Sequence, residues 1–338
     1  MENRKLFITI GIAVALILVM GAVVGSLTGT LDLGGSESDE SYVVEDATGQ
    51  EVNFEETPER IVSFMPSNTE HLFHLGVGDR IVGVDDYSNY PKETSELPKV
   101  GDSLEVDYEK IVDLEPDVVV ITESVVQMRD QLEEYDLKTV VTGGETLEDV
   151  YSDLELLGKM CGLEEKGEEA QALRDQMKEI TEETRDLPED ERIDVLYIAG
   201  TNEGISTPGE GTFQDTLLTN AGGKNIASDK DGWSTIEEAK IIDRDPEVII
   251  VPNHLEQGVR EYTEKDSWQN ITAVKNDEIH FVDSDIMSRP GPRIVEAQEI
   301  LVEILQNAKG ANSLALQEVD VNKIGSQSWS SKKIVAEV

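Results

Sequence analysis

The chain has 338 residues, 38% of them hydrophobic, enough to bury two medium cores, since single domains usually hold roughly 100–200 residues. Its 71 aspartates and glutamates against 28 lysines and arginines leave a net charge of −43, which excludes nucleic acid phosphates as a partner. The acid runs along the whole length, as in a heavily hydrated surface suited to high salt, where self-repulsion is screened.

At the N-terminus, Arg4 and Lys5 precede an uncharged run of 20 residues, Leu6 to Gly25. Such a run can cross a bilayer as a helix and exceeds the usual roughly 7–15-residue core of a signal peptide. The two cations place the N-terminus inside and the rest outside. Residues 1–25 are therefore expected to be a membrane anchor, with a cleaved signal as the alternative. No cysteine follows the run to carry a lipid, because the single cysteine is Cys161. Cys161 lies in an apolar helical stretch and reads as a buried small hydrophobe. Residues 26–41, rich in Gly, Ser and acid, read as a flexible spacer.

From Tyr42 short apolar runs alternate with helical segments, the pattern of α/β units on a mainly parallel sheet. Ile61 to Met65 reads as a strand and Asn68 to Leu75 as a helix, with Ser67 and Glu70 in capping-box spacing and Gly76 ending it. Ile81 to Val84 and the continuous Val/Ile run Asp117 to Ile121 are further strands, with a helix capped by Asp107 between them and a fourth strand at Lys138 to Val141. Thr146 to Met160 and Glu164 to Arg185 read as two helices, the second long, broken by Pro188. A second set follows: strands at Ile193 to Ala199, Val248 to Val251 and Ile279 to Val282, and helices at Phe213 to Asn220, Thr235 to Ile242 and Arg293 to Ala308. Thr235 and Glu238 have capping-box spacing. The expected division is an N-terminal lobe over 42–145, a helical connection over 146–188, a C-terminal lobe over 189–309 and a polar extension over 310–338.

The stretch Arg60 to Pro91, RIVSFMPSNTEHLFHLGVGDRIVGVDDYSNYP, resembles the first strand, helix and strand of class III periplasmic binding proteins, especially the cobalamin-binding type. The stretches beginning at Lys99, Asp231 and Asp283 agree in order and spacing, and the likeness covers Asp46 to Ala308. It implies two α/β lobes, each with a central mainly parallel sheet flanked by helices, joined by one long interdomain helix, with a ligand in the cleft between them. It also implies a monomer on the outer face of the cell membrane, or secreted if the N-terminal segment is cleaved. The monomer would deliver its ligand to an ABC permease and its ATPase, with small closure on binding.

The resemblance places Pro66, Ser67 and Asn68 at the cleft, where helix N-terminal amides meet polar ligand edges. Tyr87 matches a family tyrosine, and Tyr90 is three residues on; a ring with a polar tip suits a large flat chelate. Trp233 matches a cleft tryptophan, and Asp285 and Arg289 fall where the family makes polar ligand contacts; Arg293 reads as a structural helix-start residue. The positions that carry tryptophan in the best-known cobalamin binder are Ser103, Glu123 and Ile286, so the aromatic cage is thinner. The ligand expected is cobalamin, with a ferric siderophore or haem as the alternative, and no covalent cofactor. For docking on the permease, Glu109 matches the acid of the first lobe; that of the second falls on Ala239, beside Glu237 and Glu238.

His71, His74, His254 and His280 form no metal-ligand spacing. The chain carries no Walker loop, no G-x-G-x-x-G after a strand, no H-E-x-x-H and no G-x-S-x-G, so an enzyme is not expected. A membrane-tethered receptor that kept the fold without import is the remaining alternative. Asn270, Ile271 and Thr272 form an N-glycosylation sequon.

Overall fold

The computed structural model describes residues 41–163 and 167–316. The N-terminal apolar run and residues 317–338 lie outside them; among the described residues no helix is long and apolar enough to cross a membrane.

The first lobe opens with an antiparallel hairpin, β1 (Tyr42–Glu45) and β2 (Glu51–Phe54), in which Tyr42 stacks on Phe54 at 5.4 Å. β3 (Ile61–Ser63), α1 (Pro66–His74), β4 (Ile81–Val84), α2 (Tyr108–Asp113), β5 (Val118–Thr122), α3 (Met128–Glu134) and β6 (Thr139–Thr142) follow. The strands make a parallel sheet of order β4-β3-β5-β6. α4 (Leu147–Met160) and α5 (Gly167–Ile180) form the connection.

The second lobe contains β7 (Ile193–Tyr197), β8 (Ile205–Pro208), α6 (Phe213–Asn220), β9 (Gly223–Asn225), β10 (Trp233–Ile236), α7 (Glu238–Arg244), β11 (Val248–Pro252), α8 (Glu256–Thr263), α9 (Thr272–Lys275), β12 (Ile279–Val282), α10 (Ser284–Ser288) and α11 (Ile294–Leu316). Its parallel sheet has order β12-β11-β7-β9, while β8 and β10 pair antiparallel beside it.

Alternation along the strands explains how the lobes are joined. Val118 and Val120 of β5, and Val195, Tyr197, Val248 and Ile250 of β7 and β11, belong to one core shared with α4, α5 and α11. The intervening residues face away: Val119 and Ile121 enter a core of the first lobe, Leu196, Ile249 and Val251 one of the second. The period of two in each strand thus gives every sheet a private face and a common face. Both sheets are covered on two sides, which is why their strands read as continuous apolar runs.

Two helix starts differ from the sequence expectation. α1 begins at Pro66, with Met65 in the N-cap position and no side-chain cap. Proline at N1 needs no hydrogen-bonded amide and has its φ already set, so Ser67 is not required as a cap. Thr235 does not open a helix either: it lies in β10, and α7 starts at Glu238 without a side-chain cap. There the ladder to β8, Ser234 opposite Thr207 and Thr235 opposite Ser206, claims the backbone that a cap would have used. The caps at Asp107, which accepts from the Lys110 amide at 3.0 Å, and at Thr146, in a reciprocal box with Asp149, match or sharpen the expected boundaries.

The connection is two 14-residue helices. Gly162, at φ +69°, ends α4 as the left-handed residue with the Leu163 amide returning to Gly158 O at 2.9 Å. α5 stops at Ile180, short of Arg185, where the Thr181 hydroxyl bonds Met177 O at 2.7 Å and competes with the helix ladder. α11 runs on to Leu316, beyond the expected end at Ala308.

The hairpin is tied to the first lobe by a buried ion pair between Asp46 and Arg129. Asp46 also accepts from the Thr48 hydroxyl at 2.6 Å and the Val141 amide at 3.2 Å, so its carboxylate is satisfied on both oxygens. Asp46→Ala would strand the Arg129 guanidinium and should cost about 3–5 kcal/mol, read as a lower denaturant midpoint at unchanged m-value.

Candidate functional site

In both sheets the C-terminal strand ends carry the loops that meet between the lobes, the usual place for ligands in open α/β sheets. On the first lobe these are the turn after β3, holding Pro66 to Asn68, and the turn after β4, holding Tyr87 and Tyr90. Met65 at the first turn has φ +84°, rare for a residue with a side chain, and such strain gathers at functional turns. Ser67 and Asn68 are buried. Asn68 donates to Phe64 O at 3.0 Å and accepts from the Thr142 hydroxyl at 2.8 Å, tying the end of β3 to that of β6. A chain of hydroxyls, Ser63 to Thr69 at 2.8 Å and Thr69 to Ser88 at 2.9 Å, joins the first turn to the second.

Asp85 organises that second turn. It accepts from the Tyr87 amide at 2.9 Å and the Ser88 hydroxyl at 2.5 Å, and burial raises its pKa while these donors oppose the rise. The Tyr87 backbone is thereby fixed while its ring is 64% exposed. Tyr90 is 45% exposed, with the Arg293 guanidinium 4.0 Å from its ring centroid.

The second lobe presents Trp233, 55% exposed, on β10. The antiparallel ladder to β8 makes this segment a strand. Gly232 N bonds Glu210 O at 2.8 Å, and shortly beyond Glu210 the Phe213 amide reaches Glu145 O of the first lobe at 3.0 Å, so Trp233 stands close to the seam between the lobes.

The polar residues expected to meet ligand are engaged otherwise. Arg289 donates to Glu70 Oε1 at 3.0 Å, to Asn89 Oδ1 at 2.8 Å and to Tyr87 O at 3.2 Å, and pairs with Asp285 at 2.9 Å. Asp285 accepts from Asn89 at 2.9 Å. Arg293 clasps the same Glu70 through Nε at 2.9 Å and Nη2 at 2.7 Å. One buried carboxylate of α1 therefore holds two guanidiniums from the segment before α11. Sequence reasoning saw Glu70 only as a cap and missed Asn89 and Asp85. The partners of Glu70 lie 219 and 223 residues away, a separation that leaves no local signal.

Glu109 is exposed in the first turn of α2, and Glu237 is exposed at the N-cap of α7. Glu238 is tied to Lys265 at 2.9 Å and to Trp268 Nε1 at 3.0 Å, and Lys265 lowers its pKa. His71 is fully buried, with Nε2 3.2 Å from Val150 O, and burial pushes its pKa down to about 4, which keeps it neutral. Among the described residues no group of His, Cys, Asp and Glu is placed to hold a metal ion.

The periplasmic binding protein family model matches residues 61–286. The chain belongs to that family. It is 32% identical over 303 residues, 87% of this chain and 96% of the relative, to an uncharacterized ABC transporter substrate-binding lipoprotein of Bacillus subtilis. A vitamin B12-binding protein of Vibrio parahaemolyticus is 26% identical over 256 residues, 75% of this chain and 90% of that one. The periplasmic haem-binding protein RhuT of Roseiflexus superposes with a TM-score of 0.67 at 24% identity, over 74% of this chain and 99% of that chain. The fold is thus the two-lobed class III architecture, and the family is one of ABC-transporter substrate-binding proteins and not a class of enzymes.

Glu70→Ala takes from Arg293 its carboxylate partner and leaves Arg289 with Asp285 alone, and should cost about 3–5 kcal/mol, with Glu70→Gln less severe, both read by denaturant unfolding. Behind the seam, Asp153 is buried, accepts from the Gly143 amide at 2.8 Å, and has its pKa raised to about 7, first by burial and then by Asp149 and Glu123. A carboxyl whose folded pKa exceeds its unfolded value contributes stability in full below about pH 4 and loses it as pH rises through about 7. Asp153→Asn should flatten the fall in stability between about pH 4 and pH 7, measured by thermal unfolding in matched buffers.

Proposed function

We propose that this protein captures a corrinoid of the cobalamin class between its lobes, outside the cell membrane, and delivers it to an ABC permease. The observation that carries the reading is the pairing of a fixed turn bearing exposed Tyr87 with a ladder-held strand bearing exposed Trp233, at the strand ends that adjoin the seam. Large rings on rigid backbone give stacking area to a flat macrocycle at small entropic cost. The vitamin B12-binding relative and the substrate-binding lipoprotein relative support the class of ligand and of transport. The haem-binding neighbour keeps haem, or a ferric siderophore, as the second reading.

The site would then comprise Tyr87, Tyr90 and Trp233 with backbone edges at Pro66 to Asn68, while Asp285 and Arg289 act by holding the lobes. Glu109 and Glu237, both exposed, are the proposed permease contacts; Glu238 is the weaker candidate because Lys265 and Trp268 already engage it. Delivery to a permease needs an external location, which the apolar run Leu6 to Gly25 would supply as an anchor.

Titration of the soluble chain from about Ser41 with cyanocobalamin, haem and a ferric siderophore tests this, with tryptophan fluorescence corrected for absorption. Saturable quenching by the corrinoid, lost in Trp233→Ala, is expected; the buried Trp268, together with Trp329, which lies outside the described residues, remains in that variant as the reference signal. Tight binding of haem or siderophore with no response to the corrinoid would overturn the ligand.

A further inference from the structure

The strand-end loops around the seam contain basic groups that an anionic ligand would need, and the strongest of them are already occupied. Arg289 is bound by Glu70, Asn89, Asp285 and the Tyr87 carbonyl, and its side chain is 11% exposed. Arg293 is held by both oxygens of Glu70 and lies on the Tyr90 ring. Lys99 donates to Ser88 O at 2.6 Å and Asp85 O at 3.3 Å, inside the turn it braces. Lys230 differs: it has no ion pair among the described residues, and its neighbour Asp229 pairs with Arg244 at 2.7 Å.

Against these stand exposed acids on the same loops: Asp86 and Glu105 after β4, Glu123 after β5, Glu145 after β6, and Glu210 and Asp231 flanking β8 and β10. None is engaged in an ion pair among the described residues. Glu123 has its pKa raised by partial burial and by Asp149, Glu145 and Asp46, so these carboxylates lie near enough to repel one another.

We infer, on the strength of the capture reading above, that the cleft selects by charge: it admits neutral or cationic chelates and rejects anionic ones such as haem with its propionates or a ferric tris-catecholate. An anionic chelate entering these loops meets unpaired carboxylates, and recruiting Arg289 or Arg293 for it would take from the buried Glu70 one of its two guanidiniums. A neutral corrinoid fringed with amides asks only for hydrogen bonds and stacking, which the Tyr87 and Trp233 surfaces and the loop backbones provide.

The test compares four probes on the same soluble chain by calorimetry at two sodium chloride concentrations: cyanocobalamin, a cationic ferric trihydroxamate, haem and a ferric tris-catecholate. The expected order places the neutral or cationic probe at least tenfold tighter than either anionic one. Added salt should narrow the gap by screening the carboxylates. Paired Glu123→Gln and Glu145→Gln substitutions should tighten the tris-catecholate several-fold and leave cyanocobalamin unchanged within twofold. If haem or the tris-catecholate binds tightest, the charge rule falls while capture of a chelate stands. If none of the four binds, capture itself falls and the rule with it. An unchanged tris-catecholate affinity in the double variant would also overturn the rule.

Discussion

The structure depends on a carboxylate that is almost out of reach of water. Glu70 sits on α1 of the first lobe at 4% exposure and faces two guanidiniums contributed by the segment that leads into α11 of the second. A charge so placed is tolerable only while its partners stay, because removing them leaves the desolvation cost unpaid by any attraction. Separation of the lobes at this point would strand the Glu70 anion and the Arg293 cation together, with Arg289 left to Asp285. The common core works in the same direction: Val118, Val195 and Leu305 belong to one apolar cluster, so the sheets cannot part without opening it. The lobes are thus braced against each other, and the exposed rings at the seam are side chains that the latch leaves free.

Those side chains are preorganised by different means on the two lobes. On the first, the Tyr87 backbone is fixed from one side by Asp85 and from the other by Arg289, and Asn68 ties β3 to β6. On the second, Trp233 belongs to a strand whose ladder to β8 sets its direction, and the Glu210 and Gly232 backbones close the end of that ladder. Holding the backbone while exposing the ring lowers the ordering cost of binding, since little beyond side-chain rotation is left to restrict. The strained φ of Met65 at the head of α1 belongs to the same arrangement: the turn accepts an unfavourable conformation, held by the packing and hydrogen bonds around it.

Much of this architecture is legible in the sequence, and the limits are physical. Buried parallel strands announce themselves as runs such as Val118 to Thr122 and Val248 to Val251, because both faces of each sheet are covered; the observed strands fall within a residue or two of the expected ones. The cap at Asp107, with its own partner nearby, is equally readable. The spacing S-x-x-E misled at Ser67 and T-x-x-E at Thr235 because a cap is local and tertiary structure overrides it: Glu70 has two cationic partners in the other lobe, and Thr235 has a strand to pair with. β8 and β9 carry too few apolar residues to register, and α10 is a five-residue helix set by the Asp283 carboxylate accepting from the Asp285 and Ile286 amides. For the site, resemblance located Tyr87 and Trp233, which the structure leaves exposed, and located Arg289 and Asp285 without indicating that they face each other and Glu70.

The distribution of positive charge ties the surface to the interior. With 28 basic residues against 71 acidic ones, the chain has few cations to place, and many arginines serve the fold. Arg60 bonds the Leu114 and Glu115 carbonyls, and Arg192 reaches Leu187, Thr219, Gly223 and Arg185 carbonyls at the edge of the second sheet. Arg129 neutralises Asp46, and Arg289 with Arg293 neutralises Glu70. Guanidinium is the group suited to these places, since its forked donors bind carboxylates and several carbonyls at once and stay charged when partly buried. Many acids on the outside are then left without a cation to pair with, although surface pairs such as Arg244 with Asp229 and Lys265 with Glu238 do form. At the seam between the lobes this leaves exposed rings and backbone edges as the free surface, because Arg289 and Arg293 are already bound to Glu70.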